Sequence, residues 1–278
     1  MKKISKFFPG VKAVDNVDFK LESGCIHAIV GENGAGKSTL MKIFAGVHLK
    51  DEGSIEIGGK EVNINNPSDA KRLGISIIEQ EFSLFSELSV FQNIFIGREY
   101  VRRFKFVINW SKIRQKTKEI IKELGLNVNI SKPIKQLTTS EQQIIEIAKS
   151  LFFGSNFIIM DEPTSSLGEE EKEKLFSIIK QLRDKNIGII YISHRMEEIF
   201  EIADVVTVMR DGKRIGTYKI SEINEQKIIK LMVGREITKV FNRNRSKAKK
   251  GKVLLEVKNL SKKDSFQNIS FSVSEGEV

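Results

Sequence analysis

The chain has 278 residues, 40% of them hydrophobic and 29% charged, with a net charge of +10 and a single cysteine. That length holds one large domain or two small ones with a substantial core, and the composition is that of an ordinary globular protein, neither disordered nor fibrous. No window approaches the roughly 18 consecutive apolar residues of a spanning helix, and Cys25 alone excludes an internal disulfide, so a cytoplasmic chain without a membrane anchor of its own is expected.

The positive charge permits contact with nucleic acid or an anionic membrane. Its 46 Lys and Arg residues are, however, interleaved with 36 acids along the chain, which reads as a solvated Lys-rich surface, and no nucleic-acid partner is expected.

In chain order, the first strong signal is "CIHAIVGENGAGKSTLMKIFAG". An apolar strand-like run, Cys25 to Val30, leads through a Gly-rich loop into a helical pattern, the context a phosphate-binding loop requires. Gly31, Gly34 and Gly36 let the backbone curl so that successive N–H groups, with Asn33 and Ala35 between them, point at a polyphosphate. Lys37 is expected to reach the β- and γ-phosphates, Ser38 to bind Mg2+, and the helix starting near Lys37 to add its dipole, with Thr39 closing the motif. A magnesium-bound nucleoside polyphosphate is thus the expected ligand.

"GSIEIGGKEVNI" (53–64) and "VVTVMRDGKRIGTY" (205–218) predict hairpins turning at Gly-Gly and Asp-Gly. Gln80 follows the apolar run "GISII" at a strand end, where it is placed to link Mg2+ to the next segment. From there to about residue 152 the pattern turns helical. Within it, "QLTTSEQQIIEIAKS" (136–150) has capping-box spacing at Thr138 and Glu141, followed by an apolar face of Ile144, Ile145, Ile147, Ala148, Leu151 and Phe152.

"FIIMDEP" (157–163) reads as a buried strand ending in acid. Asp161 is placed to hold Mg2+ through water, and Glu162 to polarise an attacking water. "GIIYIS" (188–193) predicts a further strand ending at His194. Open α/β sheets bind ligands at that edge, which makes His194 a candidate γ-phosphate sensor.

"NRNRSKAKKGK" (242–252) reads as a basic linker. Beyond it "NISFSVSEGEV" (268–278) repeats "NVDFKLESGCI" (16–26) at an offset of 252, and Leu260-Ser261-Lys262 matches Ile4-Ser5-Lys6. A repeat of this kind implies a duplicated unit. The second copy stops short of its own phosphate loop, and its opening strand, Val253 to Val257, has no counterpart in the first, so the expectation is either a chain that starts internally and ends early or a gene fragment.

Together, "FPGVKAVDNV", "GENGAGKSTLMKI", "MDEPTSSL", "YISHRMEEIFEIAD", "VTVMRDGK" and "LMVGRE" resemble the ABC-type ATPases, and in character the monosaccharide importer ATPases of the ribose and galactose type, which carry two ABC domains in one polypeptide. The resemblance implies an α/β fold: a P-loop NTPase (RecA-like) core with an antiparallel β-subdomain and an inserted α-helical subdomain. Residues 1–240 then form the first ABC domain, with the helical subdomain at about 82–152, residues 241–252 the linker, and 253–278 the start of a second domain.

By the same resemblance the nucleotide is ATP with Mg2+, and Phe8, with Val14 nearby, stacks on its adenine. Gln80 fills the Q-loop, and "SSLG" (165–168) the D-loop, with Gly168 in place of an acid. Leu137, Thr138, Thr139, Ser140 and Glu141 stand where the family places Leu-Ser-Gly-Gly-Gln, the signature that meets the nucleotide of the opposite domain. Thr138 can replace the serine hydroxyl, whereas Thr139 and Ser140 add side chains and Glu141 adds a negative charge beside a phosphate. Helix cap and weak phosphate contact both remain open for this stretch.

The implied function is ATP hydrolysis coupled to monosaccharide uptake, performed at the inner face of the cell membrane. The implied partners are a permease, through it a substrate-binding protein, and a second ABC domain or a homodimer mate. The apolar residues of "EFSLFSELSVFQNIFIG" (81–97) can pack the helical subdomain, or, by the resemblance, form the surface that receives a coupling helix of the permease. Alternatives are a nucleoside importer ATPase, a soluble ABC protein acting on ribosomes or nucleic acid, and a non-catalytic fragment. The isolated chain is expected to bind nucleotide and hydrolyse it slowly.

Overall fold

Alternate residues of three buried strands divide the interior into two cores. The computed structural model describes residues 1–79, 83–97, 108–234, 251–263 and 265–277, and they fall into two units, Met1–Arg235 and Glu236–Val278. In the first unit the strands are β1 (Lys2–Phe8), β2 (Val11–Val17), β3 (Ile26–Val30), β4 (Glu52–Ile57), β5 (Lys60–Val62), β6 (Ile75–Ile78), β7 (Phe157–Asp161), β8 (Gly188–Ile192), β9 (Val205–Arg210) and β10 (Lys213–Lys219). The helices are α1 (Lys37–Phe44), α2 (Pro67–Arg72), α3 (Val90–Phe95), α4 (Trp110–Glu123), α5 (Thr139–Phe152), α6 (Glu169–Asp184), α7 (Met196–Ile202) and α8 (Glu225–Val233).

A six-stranded sheet of order β10-β9-β3-β8-β7-β6 is parallel except at β10. Strands buried on both faces read as continuous apolar runs, which is why "CIHAIV", "FIIMD" and "GIIYIS" are legible. Ile26, Ala28, Val30, Ile158, Met160, Ile189 and Tyr191 enter one core with residues of α3 to α8. Ile29, Ile159, Ile190 and Ile192 enter the other, with α1, α2 and a four-stranded antiparallel sheet of order β2-β1-β4-β5. Each fully buried Ile contributes about 1.5–3 kcal/mol. Helices α3, α4 and α5 all lie between β6 and β7, the span that the sequence marks as helical.

Both expected hairpins form. Gly58-Gly59 and Asp211-Gly212 have positive φ at both central residues, the type I′ geometry that matches strand twist.

The second unit contains β11 (Val253–Lys262) and β12 (Phe266–Ser274), an antiparallel pair. It repeats the β1–β2 hairpin in detail. Ile4 pairs with Val17 as Leu260 pairs with Ile269. Asn16 N donates to Ser5 Oγ at 3.1 Å, and Asn268 N donates to Ser261 Oγ at 2.8 Å. Asn16 and Asn268 share positive φ, as do Lys3 and Asn259. β1 starts at Lys2 and corresponds to the latter part of the longer β11, from Lys258 onward, so Val253 to Val257 match no part of β1. Val253, Leu254, Leu255, Leu260, Ile269 and Phe271 are exposed on this hairpin, more apolar surface than a two-stranded sheet can cover by itself. The basic stretch 241–250 lies outside the described residues.

His27 interrupts the apolar run of β3 on the side of the second core. Its ring packs on Phe19 with centroids 4.6 Å apart, and Nε2 lies 2.7 Å from Thr207 Oγ1. Burial lowers its pKa to about 4 from an ordinary 6.5. Above pH 6.5 both folded and unfolded chains hold this ring neutral. Below it the unfolded chain takes up a proton that the folded chain refuses, so stability falls as pH drops toward 4, by about 3 kcal/mol from this group. Urea midpoints measured between pH 7 and 4.5 should fall less steeply in His27→Gln than in the wild type; equal slopes would exclude His27 as the cause.

Candidate functional site

In-register pairing of Ile29 with Ile192 and of Asp161 with Ile192 aligns the C-terminal ends of β3, β7 and β8. Gly31, Glu162 and Ser193-His194 therefore leave the sheet along one edge. A cavity of about 430 Å³ opens there, lined by Asn33, Gly34, Ala35, Gly36, Lys37, Ser38 and Thr39 of the loop, by Asp161, Glu162 and Ile192 of the sheet, and by Phe8, Val11 and Ala13.

The loop is tight because glycine makes it so. A Cβ on Gly31 would collide with the carbonyl oxygen of Met209, and one on Gly36, where φ is 94°, with that of Ala13. Gly36 also caps α1 without any side-chain hydrogen bond, and no acid stands in the helix's first turn. The N–H groups of that turn, together with the positive end of the helix dipole, are left for an anion. Lys37 Nζ donates to Gly31 O at 2.8 Å and to Glu32 O at 3.0 Å, stapling the loop on itself. Burial lowers the Lys37 pKa, while Asp161 and Glu162 pull it the other way.

Burial raises the pKa of the Asp161 carboxyl, and a hydrogen bond from the Ser38 hydroxyl lowers it in part. Among the described residues no group of three His, Cys, Asp or Glu side chains could hold a metal. Ser38 and Asp161 offer two hard oxygen donors, which suits Mg2+, an ion that keeps several waters and takes its remaining ligands from substrate phosphates. The donor set thus fits an ion that arrives with a nucleotide.

Glu162 has φ of 49°, a left-handed conformation that bulky residues rarely adopt. Its N–H donates to Ile192 O at 2.9 Å. Its Oε1 lies 3.0 Å from His194 Nδ1, which joins the exposed His194 ring to the cavity.

The other sequence candidates divide. Phe8 lines the cavity at 38% exposure, its ring 5.5 Å edge-on from that of His48. Val14 does not line it: that side chain is fully buried in the core. Side chains alternate along a strand, so Val11 and Ala13 face the cavity and Val14 faces inward. Gln80 lies outside the described residues. Ser83, the first described residue beyond it, donates from N to Glu146 Oε1 on α5 at 2.8 Å.

Leu137 to Glu141 do not line this cavity. Thr138 caps α5: its Oγ1 accepts from Glu141 N at 3.2 Å while Glu141 Oε2 accepts from Thr138 N at 2.9 Å. Leu137 and Ser140 are buried, and Thr138 is exposed.

Sequence reasoning missed Val11, Ala13 and the buried Glu198, which is 2% exposed. An acid beside the apolar positions Ile199 and Ile202 of α7 is the signal that could have flagged Glu198.

A family model described as ABC transporter matches residues 14–165. The ribose import ATP-binding protein RbsA of Caldanaerobacter subterraneus subsp. tengcongensis is 50% identical over 278 residues, all of this chain and 55% of that protein. RbsA of Bacillus licheniformis is 46% identical over the same 278 residues, 56% of its length. A putative ribose/galactose/methyl galactoside import ATP-binding protein of Hahella chejuensis is 45% identical over 275 residues, 99% of this chain and 53% of its own. The chain thus spans about half the length of these relatives. Among solved structures, the ADP conformation of an ATP-binding cassette of an ABC transporter superposes with a TM-score of 0.74 at 24% identity, covering 84% of this chain and 97% of that one. A dimeric bacterial ABC transporter cassette gives 0.67 at 22%, covering 79% and 97%. At these identities the likeness concerns the fold.

Proposed function

The chain belongs to the ABC transporter family, and from that premise we propose that it is the ATP-binding portion of a monosaccharide importer, hydrolysing ATP to drive uptake through a separate permease. The observation that carries the reading is the cavity at the sheet edge, where Lys37, the uncapped start of α1, Ser38, Asp161 and Glu162 converge. The sugar assignment draws on relatives at 45–50% identity that are named for ribose or galactose import.

In this reading Lys37 and the first-turn N–H groups of α1 hold the β- and γ-phosphates. Ser38 and Asp161 hold Mg2+, which neutralises phosphate charge when bound, with Gln80 as a further ligand. Phe8 and Val11 pack on the base. Glu162 accepts a proton from the attacking water, and His194 holds Glu162 in place and faces the γ-phosphate. Leu137 to Glu141 serve the nucleotide of a second ABC domain or a homodimer mate. There the Glu141 carboxylate, already committed to the Thr138 N–H, stands against a phosphate, which weakens the contact. The isolated chain therefore binds ATP and turns it over slowly. The β11–β12 hairpin, which matches β1–β2 in register, is the start of that second domain.

No helix among the described residues is long and apolar enough to cross a membrane. In this reading the chain works at the inner membrane face against permease subunits, which receive sugar from a substrate-binding protein.

Titration of the purified chain with ATP and Mg2+ should show saturable, magnesium-dependent binding. The chain, fused to the second half of Bacillus licheniformis RbsA and expressed in cells lacking their own ribose importer ATPase, should restore labelled ribose uptake. Absence of nucleotide binding would sink the ATPase reading. Binding with uptake no higher than that of the Lys37→Ala fusion would sink the sugar assignment alone.

A further inference from the structure

The backbone ladder between β7 and β8 ends at Asp161 and Ile192, and the bond from Glu162 N to Ile192 O is the last that joins the two segments. Among the described residues no backbone hydrogen bond ties 163–165 to 193–195. Yet Glu162 and His194, which must meet, sit where the ladder has stopped.

Side chains continue the connection, and they meet on one carboxylate. Glu198 of α7 is 2% exposed. Thr164 Oγ1 lies 2.8 Å from its Oε1 and 2.9 Å from its Oε2, Ser193 Oγ donates to Oε2 at 2.8 Å, and Tyr191 OH donates to Oε2 at 2.9 Å. Ser193 Oγ in turn accepts from Arg195 N at 3.1 Å. The nearest cation, Arg195 NH1, stands 3.5 Å from Oε1 on a half-exposed side chain. Thr164 lies two residues past Glu162, and Ser193 immediately before His194.

A buried carboxylate held mainly by hydroxyls is an expensive way to join a helix to a sheet, and apolar residues of similar volume often do as well or better. Tyr191 and Ser193 by themselves would dock α7 on β8. The bond to Thr164 does something else, because it spans the two loops that carry the reacting pair. We propose that Glu198 is a positioning residue that sets the approach of His194 to Glu162 by clamping the loop after β7 to the loop after β8. This rests on the ATPase reading for its consequence in turnover, though not for the geometry.

The full chain has three histidines, so their ring resonances can be assigned and followed by NMR at fixed pH. Glu162→Gln, which removes the carboxylate beside the ring, marks how far the His194 signal moves when the contact is lost. Glu198→Gln offers one accepting oxygen in place of two and should move the His194 signal in the same sense, leaving His27 and His48 in place. It should keep the ATP Kd within about twofold while single-turnover hydrolysis slows about tenfold to a hundredfold, as misplacement of a reacting group does. Thr164→Val removes the loop's hold without touching Glu198, and it carries the same expectation if Glu198→Gln fails to fold. A folded clamp variant whose His194 signal stays at the wild-type position overturns the proposal, and so does a Glu162→Gln variant in which that signal does not move. Loss of ATP binding by the wild type strikes the ATPase reading and leaves the resonance test standing.

Discussion

Replacement of Lys37 by alanine is expected to weaken ATP binding by about a hundredfold, with melting temperature little changed. The ammonium is half-buried beside the cavity, and among the described residues it is bonded only to the carbonyl oxygens of Gly31 and Glu32. Those neutral acceptors are ones that a polyphosphate outcompetes, because hydrogen bonds between two ionised groups are roughly twice as strong as neutral ones. Loss of about 3 kcal/mol from such contacts corresponds to about two orders of magnitude in Kd. The fold should tolerate the change because α1 keeps its buried residues Leu40, Met41, Ile43 and Phe44. Calorimetric titration with ATP and Mg2+ decides it: an affinity within a few-fold of the wild type would mean that the phosphates do not sit on Lys37. Lys37→Arg should also bind poorly, since a planar five-donor fork does not fit a loop shaped around a point charge.

The phosphate loop is legible in sequence because its chemistry is local. Spacing of Gly31, Gly36, Lys37 and Ser38 within eight residues dictates the turn, and the structure adds only why Gly31 and Gly36 admit no Cβ: two carbonyl oxygens occupy the space. The strands carrying Asp161 and Ser193 are legible because burial on both faces leaves long apolar runs. Val14 misleads because position in the chain does not fix which face of β2 a residue occupies; only the pairing with β1 does. Glu198 stands out in sequence only as an acid beside the apolar positions Ile199 and Ile202, and its role cannot be read there. Its partners Tyr191 and Ser193 lie together on β8 and its end, but Thr164 comes from the loop after β7, and no spacing rule joins a threonine to a glutamate 34 positions away. At Thr138 to Glu141 both sequence readings fall on the same atoms. The capping box is formed, and a cap that occupies Glu141 with the Thr138 N–H is also one that places a carboxylate at the helix start, so the two readings differ only in what stands opposite.

That opposing charge makes Glu162→Gln the sharpest test of catalysis. The variant should bind ATP within about threefold of the wild type and hydrolyse it about a hundredfold more slowly or less, the usual cost of losing a general base. Binding is expected to survive because in the proposed reading Lys37, Ser38 and the start of α1, which line the cavity, supply the phosphate contacts, and glutamine keeps the volume of glutamate. Hydrolysis fails because a carboxamide does not accept the proton of the attacking water. The left-handed backbone at residue 162, held by the bond to Ile192 O, should persist, since the Ile192 carbonyl accepts from any residue there. In the proposed reading Glu141 holds down the wild-type rate, so the comparison requires single-turnover conditions with enzyme in excess of labelled ATP. Product formation at the wild-type rate in Glu162→Gln, with binding intact, would assign the proton transfer to another group, and it would leave the contact of Glu162 with His194 as a structural pairing.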